Sequence, residues 1–178
     1  MTFQLSFTPR GKVHPREPVL TCVKGVYCLL VLVPEDMSIK VGALGKKSFA
    51  RGCYVYVGSG MGGVEHRIGR HRSRDKKLHR HIDHLLRHAS LVASIALQSS
   101  SREAECETVR VLAADDDARL SVPGFGSSDC RCKSHLLYFG DAEPEMVMET
   151  LTARLAMLGS AYPRTTPQRG CQASAEWE

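Results

Sequence analysis

The sequence predicts an α/β fold: a small antiparallel sheet flanked by helices. Three features point there. Short apolar runs are bounded by glycine or proline, longer segments carry apolar residues at helical spacing, and the two kinds alternate along the chain. At 178 residues the chain suits one domain with a substantial core rather than two.

Residues 1–20 are expected to form a loose N-terminal arm, because Pro9, Pro15 and Pro18 interrupt any helix. Lys24 to Val33 reads as a buried strand, an apolar run held between Gly25 and Pro34. Pro34-Glu35-Asp36 makes a turn, and Ser38 to Val41 gives a short second strand closed by Gly42 and Gly45. Cys53 to Val57 is a third strand, paired antiparallel with its predecessors. Ser59-Gly60-Met61-Gly62-Gly63 then turns the chain, which glycine allows at little steric cost. Helices follow over Val64 to His71, Leu78 to Ala89 and Arg102 to Ala114. In the second, Leu78, Ile82, Leu85, Leu86 and Ala89 share one face; the acidic run Asp115-Asp116-Asp117 ends the third. Leu91 to Leu97 alternates apolar and polar residues as a strand does. Pro123 to Asp129 is a loop and Ser134 to Phe139 the last strand, so the main domain spans 21–140. Residues 141–178 supply a terminal helix, Glu145 to Leu158, and a tail expected to be disordered beyond Gly159.

No apolar run reaches the ~18 residues of a membrane-spanning helix. Residues 1–18 lack the continuous apolar core of a signal peptide, so the expected location is the cytoplasm. The seven cysteines are odd in number and lie mostly on apolar patterns, which argues for reduced thiols. Cys28 and Cys53 fit as small buried hydrophobes. Cys130-Arg131-Cys132 with His135 offers three zinc ligands, short of the four that a structural site needs and at a tighter spacing than the usual cysteine pair. Zinc is therefore not the expected cofactor.

Charge placement says more than the net +5. Between His66 and His88, eight basic residues face only Asp75 and Asp83, a local balance of +6 that exceeds the whole chain's. Such a stripe suits a phosphate backbone, and a solvated helical face is the alternative. Arg70, Arg72, Arg74, Lys76, Lys77 and Arg80 are the expected nucleic-acid contacts.

Phosphodiester hydrolysis needs a group to activate water, a cation for developing charge and a proton for the leaving oxygen. Tyr54 and Tyr56 share one sheet face, and Arg67 and His71 one helix face. The apolar stripe of the third helix is Cys106, Val109, Leu112 and Ala113, with Glu105 at its edge. Glu103 and Glu107 fall beside Arg110 on the solvated side, so Glu105 is the candidate metal ligand. Three ordinary surface glutamates are the alternative. His81, His84 and His88 could bind metal as a stripe, but His81 is read as lining the site or hydrogen-bonded near the sheet. Asp83 is read as an ion pair with Arg87, and Ser127 and Ser128 as loop residues that could touch phosphate.

Gly25-Val26-Tyr27 and Tyr54-Val55-Tyr56-Val57-Gly58, followed by Arg67 and His71, resemble the signatures of the GIY-YIG nuclease superfamily, with Val in place of Ile. The chain is most similar to a prokaryotic branch, some members of which are fused to an endonuclease-III-like protein. Tyr54-Val55-Tyr56-Val57-Gly58-Ser59, His81-Ile82-Asp83, Glu105-Cys106 and Gly124 to Cys130 carry that likeness, which covers about Cys22 to Phe139. The resemblance implies a GIY-YIG-like single domain and a metal-dependent endonuclease that hydrolyses DNA in repair or processing, with DNA and a repair protein as partners. It implies Tyr27 and Tyr56 as signature tyrosines, Arg67 as the helix arginine with Arg70 in reserve, and His71 one turn on. Glu105 would hold one Mg²⁺ or Mn²⁺, and Ser59 and His81 would line the site. Tyr27, or Tyr56 through water, would help deprotonate the attacking water. The signature tyrosines are 29 residues apart, farther than in compact members, so an extra hairpin is expected over Pro34 to Arg51. Two rivals stand beside the nuclease: a non-catalytic nucleic-acid-binding or protein-interaction module on the same fold, and a zinc-stabilised interaction domain built on Cys130, Cys132 and His135.

Overall fold

A computed structural model describes residues 5–7, 24–73 and 75–161. In chain order the elements are β1 (Leu5–Phe7), β2 (Gly25–Val33), β3 (Met37–Lys40), β4 (Lys46–Phe49), β5 (Gly52–Gly60), α1 (Val64–Arg72), α2 (His81–Leu85), β6 (Ser90–Gln98), α3 (Ala104–Ala113), β7 (Arg119–Ser121), β8 (Leu136–Tyr138) and α4 (Pro144–Ala161). Six strands form one antiparallel sheet in the order β1-β6-β2-β5-β8-β7, and β3 and β4 form a separate hairpin. The fold is α/β with helices on both faces of the sheet, as the sequence predicts.

The central strands β2 and β5 are apolar at nearly every position because both of their faces are covered. Val26, Cys28 and Leu30 of β2 and Cys53, Val55 and Val57 of β5 pack against Ala104, Val109 and Leu112 of α3 and Val147, Leu151 and Leu155 of α4. On the opposite face, Tyr27, Leu29 and Val31 join Tyr54 and Tyr56 beneath Val64 and Ile68 of α1, Ile82 and Leu85 of α2, and Phe49 and Phe125. Chain polarity thus separates a purely apolar face from one that carries tyrosines. Cys28 and Cys53 are buried in the first, in the hydrophobic role expected of them. The hairpin β3–β4 lies within the segment expected to hold one, and no helix of the described residues is long and apolar enough to cross a membrane.

Four elements differ from the sequence reading. Leu5–Phe7, inside the expected loose arm, adds a strand to the sheet edge by pairing with β6. The helix expected over Leu78 to Ala89 is shortened to His81–Leu85. Its start is fixed by Asp83, whose carboxylate accepts the backbone N–H groups of His79 and Arg80 at 3.1 and 3.0 Å. β4 and β7 escape hydropathy reading because they are short and polar, Lys46-Lys47-Ser48-Phe49 and Arg119-Leu120-Ser121. Residues 162–178 of the tail expected beyond Gly159, together with Arg74, Cys22 and Cys171, lie outside the described residues.

Candidate active site

Tyr27 and Tyr56 stand diagonally across the β2–β5 pair, since Tyr27 is opposite Gly58 and Leu29 opposite Tyr56. Their ring centroids are 6.4 Å apart on one sheet face. Gly58 makes this possible: a Cβ there would sit 2.6 Å from the Tyr27 hydroxyl. Gly126 plays the same part for Tyr56, whose ring a Cβ would meet at 2.8 Å; at φ 75 this residue is also in the left-handed region that favours glycine. Tyr54, though on the same face, is drawn away to the carbonyl of Ala50 and the ring of Tyr138.

The glycine turn launches α1 so that its last turn returns over the tyrosines. His71 Nε2 lies 2.9 Å from the Tyr27 hydroxyl, and its ring centroid is 5.6 Å from that of Tyr27 and 6.5 Å from that of Tyr56. On its other side, His71 Nδ1 faces Asp83 Oδ1 at 3.3 Å. Asp83 is fully buried and also accepts Arg70 Nη1 at 3.0 Å and Nη2 at 2.9 Å, with Lys76 Nζ at 3.7 Å. Burial by itself would raise the Asp83 pKa, but hydrogen bonds from His71, Arg70 and the Arg80 and His79 backbone hold it far below the usual carboxylate range. Burial depresses the His71 pKa, against the pull of Asp83, so the imidazole is neutral near pH 7. With Asp83 ionised, Nδ1 carries the proton and Nε2 is left to accept from Tyr27.

Burial pushes the Tyr27 pKa up to about 12, opposed by the charges of Arg80 and Arg67 and reinforced by those of Glu105 and Asp83. Burial also raises Tyr56, again with Glu105 adding and Arg80 opposing. Two cations and two carboxylates, from α1, from α2 with its N-cap, and from α3, therefore act on one hydroxyl. His81 Nδ1 accepts the Gly126 N–H at 3.0 Å and its ring lies 5.6 Å from Phe125, which ties α2 to the loop beneath Tyr56. Ser59 is half-buried on β5, opposite Val26.

Of the other basic residues expected on nucleic acid, Arg70 and Lys76 are committed to Asp83, and Arg72 donates to Ser94 Oγ at 3.2 Å. A buried carboxylate requires countercharges, and the basic stripe supplies them. Lys77 is exposed; Arg67 and Arg80 are half-buried, and their charges oppose the rise of the Tyr27 pKa. Asp83 pairs with Arg70, His71 and Lys76 rather than with the exposed Arg87. The short α2 places Arg87 beyond the helix, where the expected i, i+4 geometry does not exist.

Glu105, in the first turn of α3, binds His135 Nδ1 through Oε1 at 2.9 Å. That bond engages Oε1 and leaves Oε2 outside it. Burial would lower the His135 pKa, but Glu105 and Cys130 outweigh it and raise the group. The sequence reading missed two residues here. Asp83 stands in the His81-Ile82-Asp83 signature but is read there as a surface ion pair with Arg87, and Cys106, beside Glu105 in its signature, is read only as an apolar position of α3. Cys106, Cys130, Cys132 and His135 bring their ligand atoms within 4.8 Å of one another. Among the described residues, the His81, His84 and His88 stripe forms no such group.

A family profile described as "Domain of unknown function DUF123" matches residues 26–157. No curated protein and no solved structure matches the chain.

Proposed function

The chain belongs to this family of unknown function, and we propose that it is a metal-dependent endonuclease that hydrolyses DNA phosphodiester bonds in repair or processing, in the cytoplasm. The observation that carries the reading is the Asp83–His71–Tyr27 hydrogen-bond chain, which ends at a hydroxyl influenced by Arg67, Arg80 and Glu105. The resemblance of the tyrosine and glycine signatures to GIY-YIG nucleases points the same way.

Tyr27 is a phenol at neutral pH and cannot act as a base alone, because its pKa is about 12. Linked to a neutral His71, it can relay. As its oxygen takes a proton from attacking water, its own proton passes to His71 Nε2, and Asp83 stabilises the resulting imidazolium. Arg67 and Arg80 offset the charge that accumulates on the phosphorus oxygens. Tyr56, buried beside Tyr27, holds the Tyr27 ring in place. Glu105 would hold the divalent ion through the oxygen that His135 leaves open, an arrangement that fits a Mg²⁺ or Mn²⁺ whose remaining ligands are mostly waters. When bound, that ion would neutralise phosphate charge.

One observation favours a second reading. Tyr27 and Tyr56 are almost fully covered, and Arg70 and Lys76 turn inward, which suits a module that binds nucleic acid or protein without cutting it. Incubating purified protein with duplex, flap and branched DNAs in the presence of Mg²⁺ or Mn²⁺ separates the two. Products that vanish with chelator support the endonuclease; retention of DNA without products supports the module.

A further inference from the structure

We propose that Cys106, Cys130, Cys132 and His135 bind one structural Zn²⁺ that clamps α3 to the loop before β8, with Glu105 orienting the histidine ligand. The four ligand atoms lie within 4.8 Å of one another, the separation expected around a single tetrahedral ion with three thiolates and one imidazole. His135 Nε2 faces Cys130 Sγ at 3.3 Å, while its Nδ1 is held by Glu105 at 2.9 Å. That is the hydrogen-bonding side and the metal side of a ligating histidine: a carboxylate accepts one ring N–H and frees the other nitrogen for the ion. The backbone N–H of Cys132 donates to Cys130 Sγ at 3.4 Å, support that a sulfur bearing negative charge requires.

The donor set is soft and belongs to zinc rather than to Mg²⁺ or Mn²⁺, which take oxygen ligands. All four protein ligands are present, so the site is closed and structural rather than open to substrate. Its position explains the spacing that obscures it in the sequence. Cys130 and Cys132 are separated by a single residue, and the fourth ligand comes from a helix that precedes them by 24 residues. Zinc would thus fix the 122–135 loop, which also carries Gly126 against Tyr56 and donates the Gly126 N–H to His81. Because Glu105 contacts both this site and the field around Tyr27, loading the zinc would set the position of the proposed catalytic carboxylate. The zinc assignment itself does not depend on nuclease activity.

Elemental analysis of the purified full-length protein under reducing conditions should find one zinc per chain. Chelator-stripped protein should take up one equivalent of Co²⁺ with thiolate charge-transfer bands and a tetrahedral ligand-field spectrum. Cys106→Ser should lose the metal, Cys106→His should regain it, and Cys53→Ala should keep it. Glu105→Gln should weaken Zn²⁺ affinity by about 10–100-fold in chelator competition. Reduced wild-type protein that holds no zinc and takes up no Co²⁺ would overturn the assignment. So would a disulfide among the three cysteines in freshly purified protein, or equal metal loss from Cys53→Ala and Cys106→Ser in folded samples. None of these measurements uses DNA, so they fail or succeed separately from the cleavage reading.

Discussion

Asp83→Asn changes one atom of a fully buried side chain and removes the charge that Arg70, Lys76 and His71 face. In the folded protein this carboxylate accepts three bonds from the Arg70 guanidinium at 3.1, 3.0 and 2.9 Å and two backbone N–H groups at 3.1 and 3.0 Å. Asparagine can accept through one oxygen only, and its amide would oppose at least one of the donors. Breaking a buried ion pair from one side costs about 3–5 kcal/mol. For a domain of this size each kcal/mol lowers Tm by roughly 2–4 °C, so the variant should melt about 6–20 °C below wild type. Its α2 should also fray, since the cap that starts it at His81 is weakened. Thermal unfolding followed by circular dichroism at pH 7 is the assay. A Tm within about 2 °C of wild type would refute the inward placement of Arg70 and Lys76 and return both residues to the solvent-facing stripe.

The same carboxylate predicts an acid dependence. Its folded pKa lies below its unfolded value, so the folded chain binds fewer protons and stability falls as pH falls. The Tm gap between wild type and Asp83→Asn should therefore be full near pH 7 and narrow below about pH 4, where the unfolded carboxylate protonates; a constant gap in melts from pH 7 to 3 contradicts this. Arg67→Ala should slow cleavage by about 10²–10³-fold with an unchanged melting curve, since the half-buried side chain acts on developing charge; steady-state kinetics beside calorimetry tests it. Tyr27→Phe should lower kcat by about 10²–10⁴-fold and abolish the pH dependence contributed by His71, and a pH–rate profile identical to wild type would remove the relay. Gly58→Ala should cost about 1–3 kcal/mol and displace the Tyr27 ring, because the new Cβ falls 2.6 Å from its hydroxyl; near-ultraviolet circular dichroism and melting report both.

The sheet face that carries the tyrosines was legible because β2 and β5 are long and apolar, and because the second signature ends at Gly58, the residue opposite Tyr27. His71 was legible as well, since helical spacing from Arg67 puts it on the face that meets the sheet. Asp83 was not. Hydropathy reads a charged residue on a basic helix as solvated, whereas here its hydrogen bonds stop the helix short and bury the charge. Within the basic stripe, Arg70 and Lys76 pair with that interior carboxylate while Lys77 is exposed, a division that charge counting alone cannot make. Cys106 was hidden for a different reason. It sits on the apolar stripe of α3, and only the return of β8 alongside β5 brings Cys130, Cys132 and His135 to it. Long-range pairing of this kind leaves no trace in local spacing.

The most direct measurement of the central claim is DNA cleavage by wild type, Glu105→Ala and Glu103→Ala, each confirmed folded and assayed with Mg²⁺ or Mn²⁺ and with chelator. Glu105 influences Tyr27, whereas Glu103 is exposed and accepts from Ser101 Oγ at the helix start. The account predicts metal-dependent products from wild type and Glu103→Ala and none from Glu105→Ala. Equal cleavage by all three, or DNA binding by wild type without products in either metal, would contradict it.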